Sequence, residues 1–242
     1  KSQIYCCQAV AVYKLTKSRF ISGWQCLKKL WLETNRKDLL PEIDEVQQAI
    51  FDQGTAGGKL AQELFPGGVL IPADIDKALR LTKTSKAPTL FEACILSDGE
   101  LCKVDVLKRE GRKLDIIEVK SGTRAKKEHV PDVAVQRFVA EKAGFQIRKC
   151  LLMHLNSGYV REAELELEKL FSIEDLTEEV QEFLPQVPGM LEEQFSILEE
   201  KGMPSLQIGS LCSSPYTCQF IPFCWDHMPE NHIKSVPRLS WQ

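Results

Sequence analysis

Three acidic residues and one lysine stand at spacings that could build a binding site for a divalent metal ion. The Asp-Gly pair at 98–99 is typical of a two-residue type I′ hairpin turn, which places Asp105 directly opposite Glu92. The Gly-Arg pair at 111–112 fits a type II′ turn, which places Asp105 opposite Glu118 as well. Lys120 lies two residues beyond Glu118 and therefore points to the same face. The spacing predicts three carboxylates in one row across three antiparallel strands, with a lysine beside them.

A row of like charges destabilises a sheet, so these acids need a stabilising partner. Mg²⁺ or Mn²⁺ would supply one, because both cations prefer oxygen ligands. The flanking residues are apolar and indicate a buried sheet, in which unpaired acids would be costly: Val104, Val106, Ile117 and Val119. The alternative is a register shift of one residue in either hairpin, which would turn its acid to the opposite, solvated face.

These residues resemble the PD-(D/E)XK nuclease superfamily. Asp105, followed after a hairpin by the Glu-Val-Lys of 118–120, is similar to the D…(D/E)-x-K core of that superfamily. The resemblance implies that Asp105 and Glu118 bind Mg²⁺ or Mn²⁺ and that Lys120 positions or activates the attacking water. It also implies that Glu92 is the acidic residue that these nucleases often carry one strand earlier.

The resemblance extends to Gln136, which matches the start of the Q-x-x-x-Y motif of RecB-type members and is expected to orient the substrate. Two departures accompany this match. Ala140 stands where the motif has tyrosine, and Gly58 stands where many RecB-type nucleases carry a metal-binding histidine. We expect that this histidine ligand is lost, or is replaced by Glu63 of the same helix, and that metal affinity or reaction rate suffers.

Four cysteines form a second candidate site. Cys26 stands alone near the start of the chain, and Cys212, Cys218 and Cys224 follow a Cys-x5-Cys-x5-Cys spacing near its end. This arrangement resembles the iron–sulfur nucleases of the RecB superfamily, which include AddB-type helicase–nuclease subunits and the nuclease of CRISPR adaptation. The resemblance implies a 4Fe-4S cluster that joins the two chain ends. Tetrahedral zinc remains the alternative, because four cysteine ligands suit it equally well.

The remaining cysteines and the histidines have simpler interpretations. Five cysteines in apolar, strand-like stretches are interpreted as small core residues, with the adjacent pair as the first exception: Cys94, Cys102, Cys150 and the pair Cys6-Cys7. His129 precedes the helix of Gln136 and could approach a phosphate or the metal. The other histidines are expected to pack or to face solvent: His154, His227 and His232.

Charge is divided unevenly along the chain. The net charge of −3 gives no overall attraction to nucleic acid. Residues 101–150 nevertheless hold 13 basic against 7 acidic residues, whereas residues 161–200 hold 2 against 13. A charge run alone is usually a solvated face. Because the basic segment surrounds the predicted carboxylates, we expect six of its side chains to contact a DNA backbone: Lys103, Lys108, Arg124, Lys126, Lys127 and Arg137.

Hydrophobic periodicity predicts the elements that would hold these residues. We expect a helix capped by Thr16 or Ser18 and extending to Glu33, a second helix over 44–65, and alternating strands over 89–120. A helix with Pro131 in its first turn should end at Gly144 and be followed by a buried strand over 147–155. An acidic helical region should cover 174–201, with interruptions near Pro185 and Pro188.

We therefore predict an α/β fold with a restriction-endonuclease-like core, in which helices flank a mixed central sheet and a four-cysteine metal cluster joins the chain ends. One nuclease domain would span 1–242, with its core at about 44–165. The helix 16–33 and the tail 202–226 would form the cluster subdomain. No apolar run approaches the roughly 18 residues of a membrane span, and the stretch 4–13 lacks the basic leader of a signal peptide, so a cytoplasmic location is expected.

The combined interpretation is a Mg²⁺- or Mn²⁺-dependent deoxyribonuclease that acts on single-stranded DNA or on duplex DNA with a free end. Of the two types of nuclease, an exonuclease is favoured. The resemblance also suggests a further domain, or a helicase or CRISPR-type protein partner. Two alternatives stay open: a catalytically degenerate nucleic-acid-binding module with the same fold, and a zinc-stabilised interaction protein in which D…E-x-K is a coincidence. A divalent metal ion between Asp105 and Glu118 would favour the nuclease.

Overall fold

A mixed seven-stranded sheet forms the centre of the molecule. The computed structural model describes residues 14–205, 208–226 and 228–229. The strands are β1 (Leu15–Thr16), β2 (Val69–Leu70), β3 (Thr89–Ser97), β4 (Glu100–Glu110), β5 (Lys113–Lys120), β6 (Ile147–Leu155) and β7 (Phe171–Asp175). Their order in the sheet is β2-β3-β4-β5-β6-β7, with β1 beside β4. The pairs β3–β4, β4–β5 and β6–β7 are antiparallel, and the pairs β1–β4, β2–β3 and β5–β6 are parallel.

Helices cover both faces of this sheet. They are α1 (Lys17–Gln25), α2 (Leu27–Asn35), α3 (Glu45–Glu63), α4 (Ile75–Thr84), α5 (His129–Lys142), α6 (Leu167–Leu170), α7 (Thr177–Phe183), α8 (Val187–Glu199) and α9 (Ile221–Trp225). Ile116 of β5 belongs to the larger core with Val133 of α5, and the next residue, Ile117, belongs to a second core with Ala61 of α3. The predicted α/β class, a mixed sheet flanked by helices, is therefore confirmed. Within the described ranges, no helix is both long enough and apolar enough to cross a membrane.

Both predicted hairpin registers are present. Ser97 pairs with Glu100 across the first turn, where Asp98 and Gly99 both have positive φ angles, as a type I′ turn requires. In the second hairpin Glu110 pairs with Lys113, and Gly111 has a φ of 65°. Turn type and loop length fix the register of a hairpin. Each short turn therefore determines which residues of the two strands that it joins lie opposite each other.

Two elements differ from the sequence prediction. The helix expected over 16–33 begins at Thr16, whose hydroxyl accepts a hydrogen bond from the N–H of Arg19, but it is divided at Cys26, which has an extended backbone. The Cys26 N–H still donates to the carbonyl of Ser22, and the Cys26 carbonyl accepts from the N–H of Leu30. Because these two bonds continue the helical hydrogen-bond spacing across Cys26, the hydrophobic spacing did not reveal the break.

The acidic region over 174–201 is also more varied than predicted. It begins within β7, an edge strand that pairs with β6. In β7 the apolar residues Phe171 and Ile173 alternate with polar residues. A 3-10 turn, Leu184–Gln186, holds Pro185, whereas Pro188 lies in the first turn of α8, where the missing N–H costs no hydrogen bond. The helical content was predicted correctly, but the strand was hidden by its short length and its acidic residues.

Helix α3 is attached to the rest of the protein by only one half. Its C-terminal part packs Leu60, Ala61 and Leu64 against the sheet core. Every residue from 44 to 56 is exposed, including Val46 and Phe51. The N-terminal half of α3 therefore projects beyond the sheet, above the region in which the predicted carboxylates lie.

Candidate active site

The three predicted carboxylates line one groove between the sheet and α3. Glu92, Asp105 and Glu118 share this cavity of about 500 Å³. Residues of α3 form its other wall: Gly54, Thr55, Gly58, Lys59 and Gln62. The strand registers predicted from the two turns thus bring the acids together, and the helix that carries Gly58 lies across from them.

Strand pairing is interrupted where two of the acids lie. In the first hairpin Phe91 pairs with Val106 and Ala93 with Val104, but Glu92 and Asp105 are passed over. Glu92 has a φ of 54°, a left-handed conformation that a residue with a Cβ adopts only when its surroundings enforce it. The hairpin keeps the same register on both sides of this interruption, and both acids line the groove.

The two hairpin strands separate beyond Val106 and Ile117, the last pair between β4 and β5 on that side. Asp105 occupies the opening that results. Its Oδ2 atom accepts a hydrogen bond from the backbone N–H of Val119 at 2.8 Å. The carboxylate therefore takes the place of a strand partner, and this bond fixes Asp105 beside the following part of β5.

Glu118 is the most completely bonded of the three acids. Its Oε1 atom accepts from Lys17 Nζ at 3.0 Å and from Lys120 Nζ at 2.6 Å. Its Oε2 atom accepts from the same Lys17 Nζ at 3.0 Å and from Gln136 Nε2 at 2.8 Å. Lys120 Nζ also donates to Asp132 Oδ2 at 2.5 Å. A side chain that is 2% exposed thus carries a charge neutralised by two lysines.

These contacts give Asp105 and Glu118 very different pKa values. Burial raises the pKa of Asp105 to about 7, and the nearby charge of Glu118 adds to the increase. Burial would also raise the pKa of Glu118, but Lys17 and Lys120 outweigh it and hold that pKa well below its usual range. Burial opposes the charge of Lys120, yet Glu118 and Asp132 raise its pKa above the ordinary value. One carboxylate is therefore firmly ionised, and its neighbour titrates near neutrality.

Two residues of this network were not predicted from the sequence. Lys17, the first residue of α1, lies 101 positions before Glu118 in the chain, and no local pattern links them. Asp132 had a usable signal, because it precedes Gln136 by one helical turn and so shares its face of α5. Both residues are needed to understand the site, since they determine the charge around Glu118 and Lys120.

The structure changes the predicted role of Gln136. Its side chain is fully buried, and its Nε2 atom donates to Glu118 Oε2 and to the Asp132 carbonyl at 3.1 Å. A residue without exposed surface cannot contact a substrate, so Gln136 orients Glu118 instead. Ala140, one turn later, is buried in the larger core and does not face the groove.

The proposed replacement of the missing histidine is also corrected. Gly58 does line the groove, and an added Cβ there would meet nothing within 4 Å. Glu63 is exposed and is not part of the groove wall, because it lies on another side of α3. Thr55, Lys59 and Gln62 are the polar residues of α3 that line the groove.

Five of the six predicted DNA-contacting residues remain available at the surface. Arg124, Lys126 and Lys127 are exposed in the loop that follows Lys120, and Lys103 is exposed two residues before Asp105. Lys108 forms an ion pair with Glu110 at 2.7 Å and is half-buried.

Arg137 differs from these five residues. Its side chain is only 13% exposed and donates to Glu141 Oε1 and to Gln181 Oε1, each at 2.8 Å. Its charge is therefore used between α5 and α7, and the structure removes Arg137 from the predicted set.

Both described histidines are buried. His129 Nδ1 accepts a hydrogen bond from the N–H of Lys126 at 3.2 Å, and burial together with the charge of Lys120 lowers its pKa. It therefore shapes the basic loop and does not extend into the groove as a free imidazole. His154 pairs with Glu174 at 2.7 Å, consistent with the predicted packing role. His227 and His232 lie outside the described residues.

The four cysteines predicted to act together line one small cavity. Cys26, Cys212, Cys218 and Cys224 surround about 20 Å³, room for roughly one water molecule, with Lys28 and Lys29 in the same wall. Burial raises the pKa of the Cys218 and Cys224 thiols, which are therefore neutral. Among the residues that the structure describes, no group of three or more His, Cys, Asp or Glu side chains is arranged to hold a metal ion.

Helix α1 connects the cysteine cavity with the groove. Its last residue, Gln25, donates from Nε2 to the carbonyl of Leu211 at 2.7 Å and to that of Tyr216 at 2.6 Å. Its first residue is Lys17, which binds Glu118. The tail that carries three of the cysteines is thus bonded to the same short helix whose other end reaches the carboxylates. As predicted for core residues, the other described cysteines are buried: Cys94, Cys102 and Cys150. The pair Cys6-Cys7 lies outside the described residues.

Comparisons with known proteins give little further information. No family model matches the chain, and no curated protein matches it. Among solved structures, the chain is similar to one described as the crystal structure of SSO0001, with 10% sequence identity and a TM-score of 0.46. The similarity covers 90% of this chain and 89% of that one. A similarity at this level carries no functional argument.

Proposed function

We propose that this protein is a metal-dependent nuclease that hydrolyses phosphodiester bonds in DNA. The observation that supports this most directly is the meeting of Glu92, Asp105 and Glu118 in one groove, with Lys120 bonded to Glu118. Such a set of acids is expensive to bring together, and a cation would offset the cost. The proposal also rests on the similarity of these residues to the D…(D/E)-x-K core.

The donor atoms of the groove suit Mg²⁺ or Mn²⁺. Both cations prefer oxygen ligands, and the groove offers carboxylates from Asp105, Glu118 and Glu92 without a sulfur or an imidazole. Burial, with the nearby charge of Glu118, raises the pKa of Asp105, and a bound cation would favour the ionised form of this carboxyl group. A bound divalent cation would polarise the scissile phosphate and lower the pKa of a coordinated water.

The side chains around Glu118 would then have distinct tasks. Lys120 remains a cation at all relevant pH values, since Glu118 and Asp132 raise its pKa, and it would stabilise negative charge developing on the phosphate. Gln136 would act as a positioning residue by fixing the Glu118 carboxylate through Nε2. Asp105 would be held in orientation by the Val119 N–H.

The DNA backbone would be bound by exposed basic residues near the groove. Arg124, Lys126 and Lys127 lie in the loop that follows Lys120, and Lys103 lies on the strand of Asp105. Contacts of this type recognise phosphate charge and not base sequence. The exposed Tyr216, whose phenol lies within electrostatic reach of Lys120 and Asp132, could stack on a base of a single strand.

We further propose that Cys26, Cys212, Cys218 and Cys224 bind a 4Fe-4S cluster, with zinc as the alternative. All four line the same cavity, and the donor set is the one that either centre requires. Lys28 and Lys29 would offset the negative charge of the thiolates. The cavity would have to widen, and the thiols would have to lose their protons, when the centre is bound.

The decisive experiment measures cleavage of single-stranded and duplex DNA with Mg²⁺, with Mn²⁺ and with EDTA. We expect metal-dependent degradation that Asp105→Ala reduces at least about a hundredfold, because a ligand of the Lewis acid is lost. Asp115→Ala is the matched control, since Asp115 lies on β5 but pairs with Arg148 away from the groove. Cleavage that persists in Asp105→Ala would contradict the proposal. Salt-dependent DNA binding without cleavage would instead favour a catalytically degenerate binding module, which the missing ligand at Gly58 would explain.

A further inference from the structure

The carboxylate of Glu118 cannot bind an additional cation unless one of its present hydrogen-bond donors moves away. Both oxygens of this carboxylate are already bonded, to two ammonium groups and one amide. If Glu118 binds a divalent cation, as the proposed function requires, at least one of these donors has to leave. The contacts of the three donors differ enough to show which one is free to do so.

Two of the donors are fixed by other bonds. Gln136 is fully buried and also bonds the Asp132 carbonyl. Lys120 is shared between Glu118 and Asp132 Oδ2, and the latter contact, at 2.5 Å, is as short as the former. Removing either side chain from Glu118 would disturb a second bond within the core.

Lys17 is in a different position. It arrives on α1, its side chain is 20% exposed, and its hydrogen bonds to acidic groups are both to Glu118. A second acceptor is nearby, because Asp132 Oδ1 lies 3.7 Å from Lys17 Nζ. That oxygen is buried, and within the described part of the chain no donor forms a hydrogen bond with it. A buried carboxylate oxygen without a donor is costly, so it would readily accept one.

We propose that Lys17 is a displaceable counter-ion of Glu118, which moves to Asp132 Oδ1 when a divalent cation binds in the groove. The inference rests on the proposed function, because it assumes that Glu118 is a metal ligand. Without the cation, Lys17 neutralises Glu118 and keeps the groove assembled. With the cation, Asp132 receives the ammonium group, so that no buried charge is left without a partner. Lys17 is thus a positioning residue that competes with the metal.

The test measures Mn²⁺ binding to the full chain by electron paramagnetic resonance, which needs no activity. Lys17→Met removes the competing charge at similar side-chain volume, and Mn²⁺ should bind about tenfold more tightly, which corresponds to about 1.4 kcal/mol. Lys17→Arg keeps the charge and should remain within about threefold of the wild type. The control is Lys14→Met, because Lys14 is an exposed cation that pairs with Glu199 and should leave the affinity unchanged.

Asp132→Asn supplies a second, independent measurement. It should weaken Mn²⁺ binding in the wild-type background, because the displaced Lys17 loses its acceptor. In the Lys17→Met background the same substitution should have a clearly smaller effect, and this non-additivity identifies coupling between the two residues. A purely structural role of Asp132 would give equal effects in both backgrounds. Should Lys17→Met fail to fold, Lys17→Gln takes its place in the cycle.

Each outcome has a definite meaning. Tighter binding in Lys17→Met together with a non-additive cycle supports the displacement. Unchanged or weaker binding in Lys17→Met overturns it, even if Asp105→Ala abolishes Mn²⁺ binding and so upholds the metal site. If the wild type and Asp105→Ala bind Mn²⁺ equally, the proposed function itself is wrong, and the displacement of Lys17 is overturned with it.

Discussion

The carboxylate groove and the cysteine cavity are both assembled by residues far apart in the chain, but only the groove is electrostatically complete. Glu118 is ionised and is balanced by Lys17 and Lys120. The thiols of Cys218 and Cys224 have raised pKa values and remain neutral. Side chains of opposite charge can satisfy one another as soon as the chain folds. Neutral thiols gain comparable stability only when a metal replaces their protons, so the stability of the cysteine cavity would depend on the proposed metal centre.

The largest effect is expected from removing one of the four cysteines of the cavity. Cys26→Ala should lower the metal content of the purified protein and reduce the free energy of unfolding by at least about 3 kcal/mol, because structural metal binding is coupled to folding. Iron or zinc analysis, absorbance near 400 nm and thermal unfolding provide the measurement. Cys150→Ala is the matched control, since Cys150 is buried in the core away from the cavity and should keep the metal. Unchanged metal content in Cys26→Ala would show that the cavity is not a metal centre.

The second prediction breaks the groove and leaves the cavity intact. Lys120→Met should reduce DNA cleavage by a factor of about 10² or more, because the cation opposite the developing charge is lost. The iron or zinc content of the Lys120→Met variant, which reports on the cysteine cavity, should stay at the wild-type value. Lys103→Met, which removes an exposed lysine near the same site, should weaken binding slightly and reduce its salt dependence. Equal losses of cleavage in the two variants would mean that Lys120 contributes only to general charge.

The third prediction compares Glu118 with a carboxylate that has no such partners. Glu100, at the start of β4, is 1% exposed, and among the described residues no donor bonds either of its oxygens. Burial raises its pKa to about 8. The folded protein therefore holds a proton that the unfolded chain releases at lower pH, and this costs stability as the pH rises from about 4.5 to about 8.

Glu100→Gln removes this cost. The variant should be more stable than the wild type by about 1–3 kcal/mol at pH 8 and similar to it at pH 4.5, as measured by urea unfolding. Glu164→Gln, at an exposed position, is the control and should show no such pH dependence. A constant difference at both pH values would indicate that Glu100 does not titrate in this range.

The smallest expected effect concerns the connection between the two regions. Gln25→Met removes two hydrogen bonds to tail carbonyls while retaining volume, and should cost about 1–2 kcal/mol of stability. Because α1 also positions Lys17, the variant should show altered Mn²⁺ affinity in addition to easier loss of the cysteine-bound metal. Asn35→Ala, which removes a side-chain bond within α2, serves as the control. If only the stability changes, the groove is independent of the tail.

Local sequence signals predicted the groove better than its surroundings. The two short turns determined which residues of β3, β4 and β5 face each other, and so Glu92, Asp105 and Glu118 were identified correctly as neighbours. Lys17 could not be found in this way, because its contact with Glu118 depends on the packing of α1 and not on any spacing. Long-range contacts of this kind leave no periodic trace in one sequence.

Burial was the other property that the sequence did not reveal. Arg137 and Gln136 were predicted to meet DNA, but α5 is covered on several sides and both side chains are engaged within the protein. The helix was predicted correctly from its proline and glycine signals. Its exposed face could not be predicted, because the helices that cover it come from distant parts of the chain.

The two sides of the groove differ in local stability, because α3 packs against the protein by only its C-terminal half whereas the strands opposite it belong to the central sheet. Gly54, Gly57 and Gly58 lie in its middle, and each glycine costs a helix about 1 kcal/mol relative to alanine. The central strands beneath, β4 to β6, each have a paired strand on both sides, so most of their amide protons should exchange with solvent only on global unfolding. The first turns of α3 should exchange far sooner. A long polymer could therefore reach the carboxylates by local melting of this helix, at a free-energy cost much smaller than that of opening the sheet.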